Sequence, residues 1–488
     1  MVEETFAPRA AVERDASPLV RELTAALEAV GVSYCHWKGN AFLDRALRGE
    51  DDLDLLVRRA DADSFAATLH KLGFKEARTP SADVPGVSHF YGYDPQADRL
   101  VHVHAYYRLI VGHDLTENYR IPLENAFLAA AIREELVRVP PPELELIVFV
   151  VRKVLEHCTW DAIALRCGRL PDKGRRELAF LQARAELALV DRLLEQHVPF
   201  IDRELFVECL HALEPQAEAW TRVRAGRRLV ARLAPYSRHS RAGDVSRKAW
   251  RRAVEGGRRL RSKPAPSKRL SGGGTVIAVV GADGAGKSTA VEALFQWLSK
   301  DFDATTIHLG KPPWSGLTFV VRGFLKARSK VPTPRRGYQV SDAGSKAAMA
   351  LALMTARDRH RAFSRAQRLA LRGGLVICDR FPLPQLTLMD APRIERTVGT
   401  TGRLAAALSR LEQRYYRALT RPDVLIVLRV DPEIAVQRQP GDEPDYIRSR
   451  WSEIWEVDWD AMGFHVVDAG RSPEEVLSEI KSLVWSGL

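Results

Sequence analysis

The sequence is poor in cysteine. Its five, Cys35, Cys158, Cys167, Cys209 and Cys378, are an odd number with no CxxC pair, which argues against a disulfide framework or a zinc site and for scattered reduced thiols. Long apolar runs are also missing. The longest, such as "LIVFVV" at 146–151, fall far short of the roughly 18–20 residues that cross a bilayer, so no membrane span is expected. The opening "MVEETFAPRAAVERD" is acidic and has no apolar core of the secretory type; a cytoplasmic location is the expectation. No repeat of fixed period is present.

What is there reads as a soluble globular chain, 46% hydrophobic and 28% charged. At about 100–200 residues per domain, 488 residues predict two or three domains. The net charge of +11 is local: residues 221–270 hold 17 Lys and Arg against Asp244 and Glu255, a net +15, which leaves −4 for the rest. Such a segment suits an anionic partner, nucleic acid or an anionic membrane face. The plainer reading is a solvated helical linker. It is preferred because "RVRAGRRLVARL" and "RKAWRRAVEGGRRL" interleave arginine with apolar residues at helical spacing and carry no base-reading motif.

The Pro-, Ser- and Gly-rich "SKPAPSKRLSGGG" at 262–274 predicts a linker. It separates an α/β domain over 18–140 and a helical, basic middle region over 141–261 from a domain over 275–488. In the middle region "LELIVFVVRKVLEH" places apolar residues at i, i+3, i+4 and i+7. After the linker, "TVIAVV" (275–280), "TTIHL" (305–309), "LVIC" (375–378), "VLIVLRV" (424–430) and "HVV" (465–467) alternate with helical patterns. Strands too apolar for a wet face, separated by helices, predict a doubly wound parallel five-stranded sheet.

Gly281, Gly286, Lys287 and Ser288 fit G-x-x-x-x-G-K-[ST] between such a strand and an amphipathic helix. Glycines there let backbone N–H groups turn toward one anion, the lysine reaches the terminal phosphates, and the serine hydroxyl supports Mg²⁺. The loop "GADGAGKST" brings Asp283, Gly284, Ala285 and Thr289 beside the nucleotide. "GGLVICDRF" then puts Asp379 and Arg380 at the end of a buried strand. This pair of motifs resembles the thymidylate kinase family over 275–488. The resemblance implies ATP and Mg²⁺ as cofactors, Lys287 on the transferring phosphoryl group, Ser288 on the metal, Asp283 and Asp379 near acceptor and metal, and Arg380 on the acceptor's phosphate. It also implies a lid arginine from "DPEIAVQRQPGDEPDYIRSR", with Arg438 first and Arg448 and Arg450 as alternatives. Arg359 in "TARDRHRAF" is either an acceptor-binding arginine or a solvated helix charge. Ser472, Pro473 and Glu475 form a capping box for the last helix.

The acceptor half departs from the family. "DRFPLPQLTLMD" and "HLGKPPW", with Lys311 and Trp314, replace the elements that surround thymidylate, so the expected acceptor is a small nucleotide-like or sugar-like molecule other than dTMP. In the first domain, "YCHWKGNAFLDRALRGEDDLDLLV" places Asp52 and Asp54 on one side of a strand, spaced to share a metal, after a Gly39 turn. It resembles polymerase-β-type nucleotidyltransferases. Asn40 stands where the usual Gly-Ser pair ends, and the later strand "RLVHVHAYY" offers His102 and His104 where a third carboxylate is expected, with Asp98 off the strand. The resulting expectation is an ATP-dependent kinase fused to a nucleotidyltransferase-like domain. The alternatives are an ATP-binding regulatory protein with a degenerate first domain and a nucleic-acid-associated NTPase.

Overall fold

Apolar residues that alternate along strands in the first half of the chain, and run unbroken in the second, build two different sheets. The computed structural model describes residues 15–79, 84–113, 115–159, 163, 168–260, 267–328, 346–398, 402–439 and 443–488. The chain divides into units Met1–Pro266 and Ser267–Leu488.

In the first unit α1 (Pro18–Val30) starts at Ser17, whose hydroxyl accepts from the Val20 N–H, and stops at left-handed Gly31. Then come β1 (Tyr34–His36), β2 (Leu53–Val57), α2 (Ala62–Lys71), β3 (Lys75–Arg78), β4 (Val87–Asp94) and β5 (Arg99–Tyr106). They pair in the order β1-β2-β5-β4-β3, with β2 and β5 parallel and the other neighbours antiparallel. Val101, Val103 and Ala105 point into a core with Leu53 and Leu55. The alternation along β5 therefore turns His102 and His104 to the opposite face.

That second face is covered by helices. α3 (Pro142–His157) packs against helices Asp172–Arg184, Leu187–His197, Arg203–Leu213 and α4 (Ala219–Leu233), and all share one core with Cys35, Trp37, Leu56 and Tyr106 of the sheet. Its apolar spacing predicts a helix with one buried stripe. Instead every residue from Glu143 to Val151 is buried, because neighbours surround it. Burial then obliges its polar groups to find partners: Glu143 accepts from the Glu186 N–H at 3.0 Å and Glu145 from Asn40 Nδ2 at 2.8 Å.

The stretch 221–270, expected to be a solvated basic linker, takes in most of α4, whose Ala225, Leu229 and Leu233 are buried, and α5 (Arg241–Leu260), and the structure corrects that expectation. Asp244 and Lys248 are buried and paired at 2.9 Å, while Val245, Trp250 and Val254 are exposed. Part of the ionic side thus faces the protein, Arg241 and Arg247 stay exposed, and the apolar residues face out.

The second unit contains β6 (Thr275–Val280), α6 (Lys287–Leu298), β7 (Ala304–His308), α7 (Lys346–Ala370), β8 (Leu375–Asp379), β9 (Val424–Arg429), α8 (Pro432–Arg438), α9 (Pro444–Trp455), β10 (His465–Asp468) and α10 (Pro473–Ser486). The five apolar runs are these strands, shifted by at most one residue at either end. They form a parallel sheet in the order β7-β8-β6-β9-β10. From β6 the chain fills first one side and then the other. Right-handed crossovers therefore put helices on both faces and open a crevice at the C-terminal end of β6. The capping box at Ser472 and Glu475 is present.

Gly226 of α4 lies so close to α3 that an added Cβ would stand 2.2 Å from the Cys158 carbonyl oxygen. Gly226→Ala should therefore destabilise by about 1–3 kcal/mol, seen as a lower urea midpoint by circular dichroism. Helix propensity alone would raise the midpoint, by up to about 1 kcal/mol, so an unchanged or higher value contradicts the packing argument.

Candidate functional site

The loop between β6 and α6 is shaped by where a side chain cannot go. A Cβ on Gly281 would sit 2.8 Å from the Leu428 carbonyl oxygen of β9, and one on Gly284 would sit 3.0 Å from that of Ala435. Gly284 (φ 84°) and Gly286 (φ 82°) are left-handed, a conformation nearly free of cost only for glycine. Gly286 caps α6 and has open space where a side chain would be. The unpaired N–H groups of the helix start, with the positive end of its dipole, therefore border an open cradle suited to an anion. Ser288 and Thr289 are exposed in that first turn, while Ala285 is buried beneath the loop.

Lys287 is buried, and its Nζ donates to the Ala282 carbonyl at 2.5 Å. Burial, reinforced by the Arg380 charge, pushes the ammonium down to about 8. Asp283 sits among cations: Arg380 Nη2 reaches its Oδ1 at 3.0 Å and Arg450 Nη1 its Oδ2 at 2.5 Å. Burial alone would raise its carboxyl, but Arg450, Lys287 and Arg380 outweigh this and hold it below the usual carboxylate range. Trp451 Nε1 adds a bond to the Asp283 carbonyl at 3.3 Å. Arg380 itself is a left-handed non-glycine residue, φ 66°, and also lies 3.6 Å from Asp390. Asp379 ends β8 with one oxygen 3.7 Å from His308 Nε2. The other, Oδ1, is buried with no hydrogen-bond partner among the described residues.

The three lid arginines separate. Arg450 of α9 holds Asp283. Arg438, at the end of α8, donates to the carbonyls of Ala469 at 3.1 Å and Gly284 at 3.4 Å. Arg448 points away, tied to Glu433 at 2.7 Å and Asp445 at 3.1 Å. Arg359 is not the solvated charge offered as one of its two readings. It is 2% exposed and donates to the Leu309 carbonyl at 2.7 Å, the Asp390 carbonyl at 2.8 Å, Asp390 Oδ1 at 3.0 Å and Tyr416 Oη. With its guanidinium consumed by protein groups, it positions Asp390, which in turn faces Arg380. Asp390 was missed by sequence reasoning; an acid before a proline-containing loop carries no motif. Lys311 is exposed, and Trp314 is stacked by Arg322 at 4.3 Å.

In the first unit β2 and β5 align Asp54 with His104, and β4 aligns His89 with His104 and Tyr91 with His102. Asp52 accepts from His102 Nδ1 at 2.7 Å. Asp54 lies 3.0 Å from Lys38 Nζ and 3.3 Å from His104 Nδ1. Burial opposes ionisation of Asp54, yet Lys38 and His104 hold its carboxyl well below the usual range. Gly39 is left-handed, φ 75°, and delivers Asn40 to Glu145, whose carboxyl burial raises to about 7. Asp98 lies in the turn between β4 and β5, bonded to Tyr93. Among the described residues no group of three or more His, Cys, Asp or Glu converges to hold a metal.

No protein-family model matches the chain. The uncharacterised ATP-binding protein YghR of Escherichia coli (strain K12) is 27% identical over 226 residues, 43% of this chain and 86% of that protein. The thymidylate kinase of Symbiobacterium thermophilum is 30% identical over 219 residues, 43% of this chain and 91% of that protein. Among solved structures, thymidylate kinase from Ehrlichia chaffeensis covers 43% of this chain and 99% of its own, at 18% identity and a TM-score of 0.26.

A lysine that titrates near 8 is charged below that pH and loses its charge above it. ATP affinity measured by calorimetry should therefore be full at neutral pH and weaken as pH rises through about 8. Lys287→Arg should abolish this step, because a guanidinium keeps its charge there. An equal step in both proteins would assign the titration to another group.

Proposed function

The chain belongs, over 43% of its length, to the thymidylate kinase family, and from that premise we propose that its second unit transfers the γ-phosphate of ATP to a small nucleotide-like or sugar-like acceptor. The observation that supports this most directly is the glycine cradle at 281–286. It opens onto Lys287 and onto the unpartnered oxygen of Asp379 at the C-terminal end of the neighbouring strand. An orphaned buried carboxylate oxygen at the end of β8 and an exposed serine hydroxyl at the start of α6 suit a divalent cation, and Ser288 with Asp379 would hold Mg²⁺. Bound there, the ion would neutralise charge on the phosphates.

This chain's own groups do the rest. Backbone N–H groups from 284 to 289 and the Lys287 ammonium bind the β- and γ-phosphates. Arriving phosphate competes with the Ala282 carbonyl for Lys287 and with Asp283 for Arg380 and Arg450. Those guanidiniums then face the equatorial oxygens, where charge gathers as the acceptor oxygen–phosphorus bond forms and the bond to the ADP oxygen breaks. Arg438, on the loop rim beside Ala469, guards the nucleotide side. An acceptor other than dTMP is supported by the segment after Arg380, where Phe381, Leu383, Leu386 and Met389 turn inward as core and leave few polar groups to read a base.

Incubation with γ-labelled ATP and Mg²⁺ across nucleoside monophosphates, sugars and a metabolite extract tests the proposal. Label should move to an acceptor, and Lys287→Ala should slow this by about 10²–10³-fold, the worth of one transition-state donor. Transfer of label to water alone, at an undiminished rate in Lys287→Ala, would reject a kinase.

The first unit is proposed as nucleotidyltransferase-like on the in-register pairs Asp52–His102 and Asp54–His104. A metal does not fit its acids as they stand, since Lys38 and His104 lie on Asp54 Oδ1 and His102 on Asp52 Oδ1, and no step is derived through one. Transfer from α-labelled triphosphates, lost in the Asp52→Ala plus Asp54→Ala protein, would support activity. No transfer by a protein whose kinase is intact would restrict this unit to binding.

A further inference from the structure

An amphipathic helix on a globular protein normally buries its apolar stripe and shows its charges to water; α5 does the reverse. Residues 241–260 hold seven Lys and Arg against Asp244 and Glu255; part of this ionic side is turned inward, while Arg241 and Arg247 stay exposed. Lys248 pairs with Asp244 at 2.9 Å, Arg251 donates to the Leu115 carbonyl, and Arg252 lies 3.5 Å from His113 Nε2. Along the outward side Val245 is 46%, Trp250 71% and Val254 41% exposed, with Ala249 and Ala253 between them also exposed. Beside this stripe, between α4 and α5, lies a cavity of about 170 Å³ lined by Arg227, Arg241, Lys248 and Arg252 with Asp244 as the one acid. Val245 and Ala249 form its outer lip. A pocket with three excess positive charges thus opens at the edge of an apolar face.

We propose that α5 and this pocket form a docking surface for an anionic phospholipid membrane. The aliphatic side chains and the Trp250 indole enter the headgroup–acyl boundary, and the pocket takes a lipid phosphate. No helix among the described residues is long and apolar enough to cross a bilayer, so the contact lies in the plane of the interface. Charge complementarity selects this occupant. A symmetric second copy would bring the same arginines face to face across the seam, whereas an anionic leaflet attracts them, each contributing about 1 kcal/mol. Nucleic acid is gripped by rows of outward cations, and here the exposed Arg241 and Arg247 flank valine, alanine and tryptophan, a pattern suited to a headgroup–acyl boundary.

The test is flotation of the full-length protein with phosphatidylcholine vesicles, with and without phosphatidylglycerol. Binding should require the anionic lipid and weaken with salt. It should fall roughly fivefold in Arg241→Ala, the equivalent of about 1 kcal/mol, and be lost in Trp250→Glu plus Val254→Glu. These positions are exposed, so circular dichroism and ATP affinity should be unchanged. Hydrogen exchange on the unaltered protein provides a second reading, with vesicles protecting 241–260. The proposal is overturned by absence of flotation, by flotation that the glutamates leave intact, by a dimer that they dissociate, or by nucleic-acid binding that alone protects α5.

Discussion

Cations crowded into a half-buried crevice need counter-charge, and the proposed phosphate site of the second unit is organised around that need. Arg380 and Arg450 pair with Asp283, with the Lys287 charge near it, and Asp390 stands between Arg380 and the buried Arg359. Removing one partner from such a cluster leaves an uncompensated charge, which costs far more than the intact pair contributes. The acids therefore serve as placeholders. They keep the Arg380 and Arg450 side chains in position, and in the proposed function a triphosphate would bring the same sign of charge to the same atoms. Electrostatic preorganisation of this kind avoids rearrangement at the moment of transfer. It also explains why a left-handed arginine is tolerated at 380: the strain of φ 66° is held by ion pairs on both sides of its guanidinium.

The first unit solves a similar problem with different groups. On the face opposite its apolar core, Asp54 of β2 and Asp52 just before that strand lie next to the alternating histidines of β5, so each carboxylate meets an imidazole. Lys38 completes Asp54 from the β1 end and also donates to Tyr106 at 2.9 Å. One oxygen of each acid already lies against a nitrogen: Asp52 Oδ1 against His102, Asp54 Oδ1 against Lys38 and His104. Glu145, raised to about 7 beneath Asn40, shows what happens to an acid on the same unit where burial outweighs amide donors and the pull of Arg152.

What could be read in advance follows from distance along the chain. Strand limits, the glycine loop and the capping box are encoded within a few residues, and "TVIAVVGADGAGKST" carries its own geometry. The partners of the site are encoded far away: Arg450 meets Asp283 across 167 positions and Arg359 meets Leu309 across 50. No spacing rule distinguishes Arg438, Arg448 and Arg450, three arginines on one lid; only packing does, by giving Arg448 to Glu433 and Arg450 to the phosphate loop. Arg359 was ambiguous for the same reason, since flanking Arg357 and Arg361 made it look like one of a solvated row.

Periodicity has a further limit that the two basic helices expose. It states that a helix has two unlike faces, not which of them is inside. For α4 the ordinary assumption holds: Ala225, Leu229 and Leu233 are buried and Arg224 and Arg232 reach acids at its surface. For α5 it fails, because the residues beneath it present the Leu115 carbonyl and His113 rather than a greasy groove, and arginines satisfy such groups where valines would strand them. A buried polar partner surface thus selects the charged face inward, and the apolar face is left outward as the consequence. The same sequence pattern therefore yields a core helix or an adhesive one, depending on the chemistry of the surface that receives it.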